Sequence, residues 1–148
     1  MTDALSVDTL RLSMAAVKAC AGFSTTVDTT LSRATTPPVA VVSISAPVPV
    51  SNGRESWGAK FTLSVAFLGA TRSTAYDGAQ RIYAKLIALW RSGWQCQYGW
   101  ISHLATINLP AQITLTHSAQ AQTADNVFVY QFAVDVTARA PVPTPDNN

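Results

Sequence analysis

The side chains able to do chemistry are few and widely spaced. His103 and His117 are the two histidines, and Cys20 and Cys96 the two cysteines. A structural or catalytic zinc centre draws on three or four such ligands at short, regular spacings. Cys96, His103 and His117 have no such spacing and few carboxylates near them, so they read as packed or surface side chains. Serine hydrolysis needs a nucleophile, a base and a group that orients the base. Serines are plentiful, but there is no Gly-x-Ser-x-Gly, and the sequence places no carboxylate beside either histidine. The glycines are dispersed and form no phosphate-cradling loop. Asp77 reads as a helix-capping residue and Asp135 as an outward position on a strand. The expectation is a protein with no catalytic residue, no metal site and no cofactor.

What remains is the vocabulary of interfaces. Trp57 stands beside Arg54 in RESWG, a segment that reads as the tip of a hairpin. Trp and Arg are enriched where interfaces concentrate their binding energy. The competing reading folds Trp57 back onto its own sheet. Trp90, Trp94 and Trp100 read as core. Arg81, Lys85 and Arg91 fall on the polar side of a helix. Arg54, Trp57, Arg81, Lys85 and Arg91 are therefore the candidate subunit or partner contacts.

Composition narrows the classes. The chain has 148 residues, 48% apolar and 12% charged, with a net charge of +2. That length suits one domain with its own core. There is no Lys/Arg run, so no dedicated nucleic-acid surface is expected. No apolar run approaches the roughly 20 residues that span a bilayer. The N-terminus lacks the layout of a secretory signal, so two free thiols in a reducing cytoplasm are expected. Low charge with many Ser and Thr suits either large surfaces buried against other subunits or Thr-rich exposed strand faces.

The elements that must position these residues read as follows. Ser73 to Gly93 is the clearest helix, with a stripe at Tyr76, Ala79, Tyr83, Leu86, Ile87 and Trp90, widened by Ile82 and Leu89. Thr74 and Asp77 suit its start and Gly93 its end. Gly78 is discordant inside a helix and suggests close approach to a strand. Thr2 to Phe23 reads as a first helix, capped by Thr2 or Asp3, with a stripe at Val7, Leu10, Met14, Val17 and Ala21 and with Leu12 nearer the opposite face. Phe23 to Thr36 suggests a short irregular strand. Val39 to Val50 is a strand limited by Pro47 and Pro49, and Ser51 to Gly58 the hairpin tip. Ala59 to Ala70 alternates cleanly. Trp94 to Ser102 is a strand with a bulge at Gly99, and His103 to Thr116 two short strands or one kinked at Pro110. Val127 to Arg139 is the last strand, with Phe132, Val134 and Val136 facing inward. Residues 1–140 form a single α+β domain, mainly an antiparallel sheet with two helices on one face and a long hairpin. Residues 141–148 form an extended Pro-rich tail.

In this order of elements the chain resembles the tail terminator proteins of long-tailed, siphovirus-like bacteriophages, especially those of actinobacterial hosts. The resemblance rests on the N-terminal helix, VAVVSISAPVPV, the hairpin SNGRESWG, the strand AKFTLSVAFLGA, the helix STAYDGAQRIYAKLIALW and the final strand NVFVYQFAVDVTAR. It implies a non-enzymatic virion protein of the tail–neck region, assembled in the host cytoplasm. Such a protein forms a hexameric ring that caps the tail-tube protein, stops its polymerisation and joins a head-side connector or stopper. Genomic DNA would pass through the lumen without sequence-specific contacts, past inward basic residues such as Arg54, Arg81 or Lys85. Another neck component, a stopper or adaptor, shares the same plan. A small ligand-binding or enzymatic α+β domain is the alternative from a different class, and it would need convergent polar groups in a pocket.

If Trp57 is an interface anchor, Trp57→Ala weakens assembly more than folding. A variant that lost thermal stability yet assembled normally would make Trp57 a core residue instead.

Overall fold

The longer helix, α2 (Arg72–Arg91), starts where two threonines satisfy each other's backbone. Thr71 Oγ1 accepts from the Thr74 N–H at 3.1 Å, and Thr74 Oγ1 accepts from the Thr71 N–H at 3.1 Å. This reciprocal cap stands one turn before the expected Thr74–Asp77 pair, so Asp77 is an exposed helix residue and caps nothing. The helix ends as expected: Gly93 takes φ +76°, a left-handed turn that suits glycine.

The structure is a computed structural model that describes residues 7–22, 25–29, 37–50, 58–113 and 128–141. Within these, α1 (Thr9–Ala21) is capped by Asp8, whose carboxylate accepts from the Arg11 N–H at 3.1 Å. The expected start at Thr2 or Asp3 lies outside the described residues. The strands are β1 (Thr26–Asp28), β2 (Val39–Ile44), β3 (Val48–Pro49), β4 (Gly58–Gly69), β5 (Gln95–Cys96), β6 (Gly99–Ile113) and β7 (Phe128–Arg139). They form one sheet in the order β1-β2-β4-β7-β6-β5, with β3 pairing β4 beyond the end of β2. Only the β1–β2 pair is parallel; the other described pairs are antiparallel. The fold is α+β with a mainly antiparallel sheet, as expected.

Alternation along β4 decides which face carries the helices. Phe61, Leu63, Val65 and Phe67 are buried, and they pair with Val136, Val134, Phe132 and Tyr130 of β7. Both helices pack on that face: Leu12, Ala16, Val17 and Cys20 of α1 and Ala79, Ile82 and Leu86 of α2 belong to the same core. The expected inward register of Phe132, Val134 and Val136 holds, each being at most 2% exposed.

The helix faces are rotated from the expected stripes. Along α2 the buried line is Ala75, Gly78, Ala79, Ile82 and Leu86, whereas Tyr76 is 42% exposed. The cause is proximity: a β-carbon on Gly78 would overlap the ring of Phe67, so only small side chains fit beneath the first turns. In α1, Leu12 is buried and Leu10 exposed, the reverse of the expected arrangement. Small residues Ser13, Ala16 and Cys20 line the contact side, and the Ser13 hydroxyl is satisfied by donating to the Thr9 carbonyl at 2.8 Å.

Two strand expectations need correction. The stretch 39–50 is not continuous, since Ser45–Pro47 separates β2 from β3; the Thr62 N–H donates to Ser45 Oγ at 2.8 Å and holds the break against β4. Gly99 does not bulge a strand. It opens β6 after the turn at Gln97–Tyr98, at φ +139° with no room for a side chain beside the Arg139 carbonyl. From there β6 runs unbroken through His103 and Pro110, with register shifts in place of an interruption.

Leu86 is fully buried, so Leu86→Ala is expected to cost about 2–5 kcal/mol by removing packed methyl groups and leaving a cavity. Thermal or urea unfolding checks this, and an unchanged midpoint would refute the placement.

Candidate interaction surface

With the centre of α2 spent on the core, its two flanks face different neighbours. One flank carries Arg81 and Lys85, both exposed. Lys85 lies near Cys20 of α1, close enough for its charge to favour the thiolate there. Burial acts more strongly in the opposite sense and pushes the Cys20 thiol up from 9.0 to about 11. Arg91 is exposed in the last turn, where it suits the negative end of the helix dipole. It stands ten residues beyond Arg81, or about 15 Å along the axis at 1.5 Å per residue. The structure therefore does not gather Arg81, Lys85 and Arg91 into one basic patch. Arg54 and Trp57 lie outside the described residues.

The other flank is aromatic and faces β6 and β7. Tyr76 packs edge-on against Tyr130, and Tyr83 edge-on against Phe132, each with ring centroids 5.4 Å apart. Gln80 Nε2 donates to the Tyr76 hydroxyl at 2.7 Å. The Tyr83 hydroxyl shares a hydrogen bond with Thr106 Oγ1 at 2.6 Å. Trp90 meets the His103 ring edge-on at 6.0 Å. These contacts fix the position of β6 against the helix.

β6 is the feature that sequence reasoning undervalued. β5 pairs with it only at Gly99 and Trp100, and no other described strand covers its outer edge. Register shifts against β7 fall between Thr106 and Asn108 and between Asn108 and Ala111. Ile107 and Leu109 sit within those irregularities, out of the ladder, and are 51% and 62% exposed. The segment Ile101–Ile113 contains no Lys, Arg, Asp or Glu. The signal was present: Ile101 and Leu104 are both buried though three residues apart, and Leu104 is out of a period of two with Ile107 and Leu109; such a change of parity marks bulges.

Across the sheet, toward β1 and β2, a hollow of about 320 Å³ is lined by Pro37, Pro38, Phe67, Ala70, Asp77 and Arg81, among others. Arg81 is thus placed at a concavity as well as on the polar flank. Val48 of β3, 53% exposed, lies on the same side of the sheet order but lines a different groove.

A wider groove of about 460 Å³ has Lys60, Thr62, His103, Asp135 and Thr137 in its walls and floor. Three of its polar side chains are engaged with one another. Asp135 Oδ1 accepts from the Thr62 hydroxyl at 3.1 Å, and Ser45 Oγ accepts from the Thr62 N–H. The outward placement of Asp135 agrees with its expected position on the strand. His117 lies outside the described residues. Among the described residues, no three of His, Cys, Asp and Glu cluster as metal ligands would, and no helix is long and apolar enough to cross a membrane.

No protein-family model matches the chain, and no curated protein matches it.

The covered Cys20 supplies a check on the α1–α2 contact. With its pKa above the ordinary value, folding favours the neutral thiol; the stability linked to that proton is complete below pH 9.0 and is lost as pH rises toward 11. At pH 8 a thiol reagent should react with Cys96, which is half-buried, well before Cys20, and with both in urea. Two equally fast thiols in the folded protein would mean that Cys20 is not covered.

Proposed function

We propose that the chain is a ring-forming structural subunit, the tail terminator of a long-tailed bacteriophage. The observation that carries the reading is the pair of unlike apolar surfaces on opposite sides of one sheet. Ile107 and Leu109 project from the β6 side, and the hollow lies beside β4 and α2, toward β1. A two-fold dimer uses one self-complementary patch twice, whereas a ring needs two different patches that meet head to tail and close by rotation. Two patches separated by β7 suit the second geometry.

Low charge supports the same reading. Charged residues are 12% of the chain, about half the usual share, and β6 carries none beyond its histidine over Ile101–Ile113. Interface centres are depleted in charge in this way. In the proposed role the chemistry is binding geometry alone: the ring, a hexamer by resemblance, caps the tail-tube protein, ends its growth and offers its other surface to a head-side connector. The basic side chains Arg81, Lys85 and Arg91 are then available to neighbouring subunits or to DNA in the lumen.

Light scattering after size exclusion tests the ring directly. A single closed species near six times the 15.7 kDa of the chain is expected, and the same species should bind the ends of isolated tail tubes and stop their elongation. A monomer or dimer at every concentration, with and without tubes, would sink the proposal.

A further inference from the structure

We draw no further inference here: the strongest candidate, the exposed Ile107 and Leu109 on the outer edge of β6, is an apolar surface with no partner among the described residues, and nothing in the structure shows what covers it.

Discussion

At Gly78 the backbone of α2 rests against the ring of Phe67, closer than any side chain would allow. That approach sets the height of the helix over the sheet. Ala75 and Ala79 fit at the same height, and Ile82 and Leu86 then reach between the strands as the helix continues. Glycine in a helix interior costs about 1 kcal/mol relative to alanine. The local cost is offset by the apolar area that close packing buries along β4 and β7. The rotation of α2 follows from this choice. With the small residues turned down, the tyrosines cannot point at the sheet and are set on the flank.

The flank placement has consequences for β6. A strand as long as β6, 15 residues with three register shifts, would hold its shape poorly from one side. Pairing with β7 gives one constraint; the Tyr83–Thr106 hydrogen bond and the Trp90–His103 contact give a second, from the helix side. The irregular stretch around Ile107 follows directly after the anchored Thr106. Presentation of the exposed pair is therefore prepared by residues outside it. The path runs from Gly78, through the rotation of α2, to the aromatic flank and the strand edge.

Much of the architecture was legible because it rests on local rules. The period of two in β4 is unbroken from Phe61 to Phe67, and the inward register of β7 from Phe132 followed from the same pattern. Gly93 as a helix stop needed only its conformational freedom. The misplacements share a different origin. Tyr76 and Leu10 looked inward because they are large and apolar, yet the contacts were won by the small Ala75, Ala16 and Cys20, together with Leu12. Helix spacing identifies an apolar arc but does not say which part of it touches when tight approach favours small side chains. The Thr71 cap was missed because threonine, unlike glutamate, is not the usual third-position partner in a capping box. Arg81, Lys85 and Arg91 are exposed on α2, but nothing in their spacing separates a hollow's rim from open solvent. The hollow itself combines Thr25, the prolines before β2, the end of β4 and α2, and such long-range juxtaposition leaves no local trace.

The same bulges that hid Ile107 and Leu109 from a periodicity argument define how the edge can be used. A regular, charge-free edge would accept almost any extended chain, since backbone hydrogen bonds carry no side-chain information. By displacing Ile107 and Leu109 from the ladder, β6 exchanges a general template for a side-chain shape. Recognition by shape discriminates among partners in a way that strand addition does not, because a misfit leaves apolar surface exposed or a polar group unpaired. A subunit that must join copies of itself and then stop gains from that exchange. Closure needs one defined angle per contact, and an edge able to slide in register would supply many.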